Sequence, residues 1–352
     1  MYRILLLLLS FTVIYSCKKE SQLNNHVTSK RGLITKNAMV VSARAEASQI
    51  GSDILKKGGN AFDAMAATQL ALAVAYPYAG NIGGGGFMVY RKANGEIGSL
   101  DFREKAPLAA TNDMYLDENG DVIPEKSTLG AMSVGVPGSV AGVFAVHEKM
   151  GSLTIEDIIR PSIELANRGV VVTKKQQAKI ERYMPGIKKA NKDSTLFHKF
   201  WKEKDTIKYF ALAETLSRIM LNGKDEFYKG QTAKTLASFI QENGGILTEE
   251  DLNKYEVKWR KPTTFKYDDL NIISMPPPSS GGICLAQIMK MIEPYDLSKY
   301  GHNSLKAIQL ITEAERRAYA DRSFYLGDPD FVNVFESTLI NETYLKERMS
   351  SF

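Results

Sequence analysis

Residues 60–90 read NAFDAMAATQLALAVAYPYAGNIGGGGFMVY, and the order of events inside that stretch decides the fold. Asn60 can cap a helix starting at Ala61, and the positions that follow are apolar on nearly every face. A helix of about fifteen such residues is too short to span a bilayer and is expected to lie buried between layers. Four consecutive glycines, Gly83 to Gly86, then lead into Phe87-Met88-Val89-Tyr90, a strand-like run, and Ala93-Asn94-Gly95 turns the chain back into EIGSLDF as a hairpin. A dinucleotide-binding unit runs strand, glycines, helix; here the order is helix, glycines, strand. No Gly-Lys-Ser/Thr follows, so a phosphate loop is excluded as well. Glycine allows another backbone to approach closely, and tight helix-to-strand packing is the expected use of the run.

Outward from this stretch, AMVVSA (38–43) is expected to be a short buried strand and ASQIGSDILKKGG a helix stopped by Gly58 and Gly59. Residues 139–260 are mainly helical in pattern: IEDIIRPSIELANRG ends at Gly169, and LAETLSRIMLNG and TAKTLASFIQENGG each close on Asn-Gly. Strands return as YEVKW, TTFKY and LNIISM, the last two split by Asp268-Asp269, before a long helix SLKAIQLITEAERRAYADRSFYL. There is no internal repeat, low-complexity block or clear interdomain linker. Mixed helices and strands in this order specify an α+β fold with buried sheets covered by helices.

The chain has 352 residues with a formal net charge of +5, ordinary globular composition, and length enough for one large or two smaller domains. Its densest basic stretch, residues 174–193, is interleaved with Glu181 and Asp193, lacks a stacking series of aromatics, and reads as a solvated helical face. At the N-terminus Arg3 precedes the apolar run ILLLLLSFTVI and then Tyr15-Ser16-Cys17. That run suits the core of a secretory signal over residues 1–16. Ser16-Cys17 resembles a bacterial lipoprotein processing site, which implies lipidation of Cys17, a polar tether over 17–35, and an exported protein in the periplasm or at the cell surface. An ordinary signal peptide cut nearby is the other reading. Cys17 and Cys284 are the only cysteines, so no intramolecular disulfide framework is expected, and Cys284 reads as a small core residue.

Candidates for chemistry are few. His26, His147, His198 and His302 share no ligand-like spacing and read as surface or capping residues, so no metal is expected. No Gly-x-Ser-x-Gly elbow supports a serine triad. Glu313 and Glu315 sit beside Arg316 and Arg317 as ion-pair patterning on a helix.

Three segments stand apart: LDFREKAP (100–107), MPPPSSGGI (275–283) and AYADRSFYLGDPDFV (318–332). Together with GGNAFDAMAATQLALAV, NIGGGGFMVY, GVPGSVAG, DEFYKG and NGGILTEEDL, in that order, they resemble the large-subunit part of γ-glutamyltranspeptidase, also called glutathione hydrolase. The resemblance runs over residues 36–352 and implies half of the αββα sandwich of the N-terminal-nucleophile hydrolases. It implies that the glycine run is a backbone turn beside the substrate pocket, and that Arg103 binds substrate. A guanidinium is a forked, permanent cation suited to the free α-carboxylate of a γ-glutamyl donor; without the resemblance, an ion pair with Asp101 or Glu104 would be the default reading.

The family's nucleophile is a threonine freed by self-cleavage, expected beyond Phe352 on a small-subunit partner, so residues 1–352 alone are expected to be inactive. Thr263-Thr264 precedes PPPSSGG and is rejected for that role, and Ser279 and Ser280 are rejected as nucleophiles. The implied donor is glutathione or another γ-glutamyl amide, the acceptor an amino acid, a dipeptide or water, with no cofactor. Two alternatives stay open: a related acylase removing a glutaryl-like group, and a non-catalytic lipoprotein that binds γ-glutamyl compounds.

Overall fold

The computed structural model describes residues 32–191 and 193–352, and the chain divides into a leading unit, Met1–Met39, and a body, Val40–Phe352. The signal sequence, Cys17 and most of the tether fall outside the described residues, as does His26. Within the leading unit, residues 32–39 form no regular element and Leu33 and Ile34 are exposed.

The body opens without the strand expected over 38–43. Residues 40–44 form no strand, Val41 is 79% exposed, and only Val40 packs on the core. An apolar run becomes a strand only where a neighbour takes its backbone hydrogen bonds, and none lies alongside here among the described residues. Helix α1 (Ala45–Lys56) follows, ended by Gly58 at positive φ, and then α2 (Ala61–Ala75). Asn60 caps α2 by accepting from the Phe62 and Asp63 amides, while Asp63 accepts from the Asn60 amide. Asp63 is itself buried, and Ser152 donates to it through both backbone and hydroxyl, so its charge is satisfied. Alanine dominates α2: Ala66, Ala67, Ala71 and Ala75 are fully enclosed, and their small side chains let several helices approach at once.

Strands β1 (Phe87–Arg91) and β2 (Ile97–Asp101) form the expected hairpin, Met88 opposite Leu100. Helices α3 (Ser139–Met150) and α4 (Ile155–Arg168) pack on α2, and α4 continues through Pro161. A short pair, β3 (Val170–Val171) with β4 (Thr206–Ile207), brackets α5 (Lys174–Ala190), the basic helix, which buries only Gln176 and Ile180. Next come α6 (Phe210–Asn222), α7 (Lys224–Tyr228), α8 (Gln231–Glu242) and α9 (Glu249–Asn253), with Gly223 and Gly244 at positive φ after α6 and α8. These helices and α1–α4 share the main apolar core.

Strand β5 (Lys258–Arg260) joins the far side of β2, giving an antiparallel sheet in the order β1-β2-β5. Strands β6 (Thr263–Tyr267) and β7 (Leu270–Ser274) make a second hairpin, turned by Asp268 at φ 50°, a conformation that Asp tolerates. Helix α10 (Gly281–Ile292) packs on that hairpin and on the long helix α11 (Leu305–Tyr325). The short α12 (Glu336–Leu339) leads into α13 (Glu342–Met349), which closes a second, smaller core that includes Met291, Leu310, Ala318 and Leu345. Buried Asp321 knits this core, accepting from Gln287 at 2.9 Å and Tyr344 at 2.8 Å and pairing with Arg348 at 2.9 Å. No helix among the described residues is long and apolar enough to cross a membrane.

Candidate functional site

The glycine run holds a turn of backbone. A Cβ on Gly85 would lie 2.5 Å from the Phe102 carbonyl oxygen and 2.7 Å from the Glu104 nitrogen, so only glycine lets the two segments lie this close. Gly86 exchanges both backbone hydrogen bonds with Phe102, at 3.2 and 3.0 Å. The Gly84 carbonyl accepts from the amides of Gly138 and Ser139 at 2.8 and 2.9 Å, satisfying donors at the start of α3 that an anion would otherwise need. Gly142 on α3 makes room for the Phe102 ring. Phe102 is thus wedged between glycines on two sides, and the next residue is Arg103.

Arg103 is fixed through its backbone and free at its tip. Its amide donates to Asp101 Oδ1 at 3.1 Å, and its carbonyl accepts from the Tyr255 hydroxyl at 2.8 Å. Tyr255 is buried and stacks on Tyr228 with ring centroids 5.6 Å apart; burial foremost pushes its hydroxyl pKa up, so it stays a protonated donor. The Arg103 guanidinium lies over the Phe87 ring at 5.8 Å, and among the described residues it makes no ion pair. Of the two expected rivals, Asp101 has its other oxygen taken by Arg260 at 2.9 Å, and Glu104 lines the same cleft without an ion pair to Arg103.

This guanidinium lines a cleft of about 640 Å³ whose other walls include Arg260, Ser279, Ser280, Arg322, Asp328 and Asp330. Arg260 spends its charge within the protein: besides Asp101 it holds both Asp330 oxygens, at 3.3 and 3.0 Å, and Lys258 reaches Asp330 at 2.6 Å. The Arg260 hydrogen bonds, working against burial and aided by Lys258, hold the Asp330 carboxyl down at about 2. Arg322 gives its Nε to Ser280 at 3.0 Å. A cleft with an uncommitted arginine on a rigid turn is suited to a ligand carboxylate.

The remaining candidates fall elsewhere. Ser279 accepts from the Gly281 amide and Ser280 from Arg322, a guanidinium that cannot take a proton, and among the described residues neither hydroxyl is hydrogen-bonded to a histidine or carboxylate base. Thr263 is 1% exposed beneath α10, and Thr264 faces outward from the same hairpin. Cys284 is buried in α10, as a core residue should be. His147 bonds the Leu153 carbonyl, His198 caps the short turn at Thr195, and His302 lies exposed in a turn. Glu313 pairs with Arg316 and Arg317. Arg260 and Tyr255 carry no local signal of their roles, since their partners lie 159 and 152 positions away.

Comparison with known proteins meets this geometry. The family model for gamma-glutamyltranspeptidase matches residues 47–352. The chain belongs to that family. Over 317 residues it is 44% identical to the glutathione hydrolase proenzyme of Escherichia coli strain K12, covering 88% of this chain and 54% of that protein. It therefore spans about half the length of that curated relative. Among solved structures, Helicobacter pylori gamma-glutamyltranspeptidase superposes with a TM-score of 0.88 at 44% identity, covering 91% of this chain and 93% of that one. The enzyme from Pseudomonas nitroreducens gives 0.85 at 39% identity over 90% and 95%. The α+β fold is accordingly that of the gamma-glutamyltranspeptidases, as the motifs around Arg103 imply.

Proposed function

We propose that residues 36–352 form the donor-binding, large-subunit half of a γ-glutamyltransferase or glutathione hydrolase, with Arg103 gripping the α-carboxylate of the donor. One observation carries the reading: Arg103 presents to a cleft a guanidinium with no ion pair among the described residues, on a backbone held from both sides, while one of the two adjacent carboxylates, Asp101, is occupied by Arg260. Charge-assisted, two-pronged contact with a carboxylate is the chemistry such a group offers.

In this reading the nucleophile lies beyond Phe352, on a small-subunit partner formed by self-cleavage before a threonine. The threonine hydroxyl attacks the γ-carbonyl, its own α-amine takes the hydroxyl proton and passes it to the departing amine, and a γ-glutamyl ester forms. Backbone donors stabilise the oxyanion. Water or the amine of an amino acid or dipeptide then takes the acyl group, releasing glutamate or a new γ-glutamyl amide. No step calls for a metal or organic cofactor.

The deciding experiment compares purified residues 1–352 with the same chain completed by the C-terminal portion that its proenzyme relatives carry. On a γ-glutamyl anilide the first is expected to be silent and the second active. Turnover by the first sample overturns the two-part reading, and a completed enzyme that prefers a glutaryl anilide overturns the γ-glutamyl one. We further propose that residues 1–16 are a signal, Cys17 a lipid anchor and 17–35 a tether, placing the protein in the periplasm or at the cell surface. Label from a clickable fatty acid is expected to vanish in Cys17→Ser, and persistence of the label rules the anchor out.

A further inference from the structure

We propose that Arg260 is a positioning residue for Arg103: by gripping Asp101 on one side and Asp330 on the other, it sets the direction in which the donor-binding guanidinium projects. This rests on the reading of Arg103 given above.

The path between the two arginines is short. Arg260 Nε donates to Asp101 Oδ2 at 2.9 Å, and Asp101 Oδ1 accepts from the Arg103 amide at 3.1 Å. One carboxylate thus joins the side chain of the first arginine to the backbone of the second. Its two oxygens are divided between them, so Asp101 cannot rotate toward Arg103 without releasing Arg260. The guanidinium of Arg260 continues to Asp330 through both terminal nitrogens, a fork-to-fork contact of the kind arginine makes and lysine cannot. Asp330 comes from the loop after α11, so three separate stretches of chain meet at one side chain: the end of β2, strand β5 and that loop.

Two features keep the arrangement stiff. The side chains of Arg260 and Asp101 are 14% and 10% exposed, shielded from the water and salt that weaken surface pairs. The Arg260 backbone is itself pinned, its carbonyl accepting from the Ser99 hydroxyl at 2.8 Å within the β2–β5 pairing. Charge bookkeeping agrees with the division of roles. Arg260 pairs with two carboxylates and Arg103, among the described residues, with none, although both line the same cleft. If Asp101 were released from Arg260, it could turn to the nearby cation of Arg103 and neutralise the group that the donor needs. Arg260 therefore both orients Arg103 and keeps it available.

The test is a double-mutant cycle in the completed enzyme, read as KM and kcat for a γ-glutamyl anilide, with Arg103→Met, Arg260→Met and the pair. Arg260→Met is expected to raise KM about tenfold while kcat changes less than about threefold, the pattern of lost uniform binding. On the Arg103→Met background the same substitution is expected to change KM less than about twofold, because the residue it acts through is gone. Arg260→Lys is expected not to rescue. Asp330→Asn keeps the shape and most of the fold, and is expected to raise KM by about threefold, with the same dependence on Arg103. The proposal is overturned if Arg260→Met or Asp330→Asn lowers the melting temperature yet leaves KM unchanged, or if the KM effect persists undiminished without Arg103. If Arg103→Met alone leaves KM unaltered, the donor reading itself fails, an outcome distinct from loss of the coupling.

Discussion

The hydroxyl of Tyr255 donates to the carbonyl oxygen of Arg103 at 2.8 Å, tying together residues 152 positions apart. Removing that hydroxyl leaves the ring, its stacking on Tyr228 and its burial in place, and deletes one bond. Tyr255→Phe is expected to destabilise the protein by about 1–2 kcal/mol, the scale for orphaning a buried hydrogen-bonding group. Urea denaturation checks this, and an unchanged midpoint would show that the bond contributes nothing to the hold on Arg103.

Truncating the clamp itself has a different signature. Arg103→Ala in the completed enzyme is expected to weaken the γ-glutamyl donor by about 2–4 kcal/mol, with Arg103→Lys restoring only part, because an ammonium lacks the fork. Global stability should barely move, since Arg103 pairs with no carboxylate among the described residues. Steady-state kinetics alongside thermal melts separate the two effects.

Acid provides a third measurement. The pKa of Asp330 falls from 3.8 to about 2 on folding, chiefly through its hydrogen bonds to Arg260. A folded-state pKa below the unfolded one stabilises the protein above the unfolded value and loses that contribution as pH drops through the folded value. The stability gap between wild type and Asp330→Asn is therefore expected to be constant above about pH 5 and to close between about pH 4 and pH 2. Urea midpoints across that range test it, and a gap that stays constant down to pH 2 would detach Asp330 from the acid response.

Gly85 is one of the tightly enclosed glycines beside the site. Gly85→Ala places a methyl against the Phe102 carbonyl and the Glu104 amide, both backbone atoms with no rotamer to retreat into. A loss of about 1–3 kcal/mol is expected, the range for forced overpacking. Gly95, at φ 89° in the hairpin turn with open space around it, is the control: there the penalty would come from backbone conformation alone.

Thr264 is expected to be dispensable. It faces outward on β6, paired with Ile273 in a hairpin, and Thr264→Ala should leave both self-cleavage and turnover of the completed enzyme at wild-type levels. Loss of processing in that variant, followed on a denaturing gel, would return the nucleophile to this half of the molecule.

What could be read in the sequence divides by the range of the interactions involved. Helix α2, the hairpins on either side of Ala93-Asn94-Gly95 and Asp268-Asp269, and the stops at Gly223 and Gly244 are set by neighbours within a few residues, and periodicity or turn chemistry exposes them. The 38–43 segment fails for the complementary reason: its composition is strand-like, but a strand needs a partner that composition cannot reveal. The two-residue pair β3–β4 is too short to leave a pattern. At the site, Arg103 was legible through the motif around it and not through any property of an arginine in isolation. Arg260 and Tyr255 were not, because each acquires its role only when chain segments more than a hundred residues apart are brought together.

Helix α2 has one more consequence, for measurement. From Asp63 to Ala75 no position is exposed, so its interior amides cannot meet solvent while α1, α3 and α4 remain in place. Deuterium should enter them only when the surrounding helices open together, at a rate set by the free energy of that collective event. Mass spectrometry of a peptide from this one helix would then serve as an internal gauge of the whole body, Val40–Phe352.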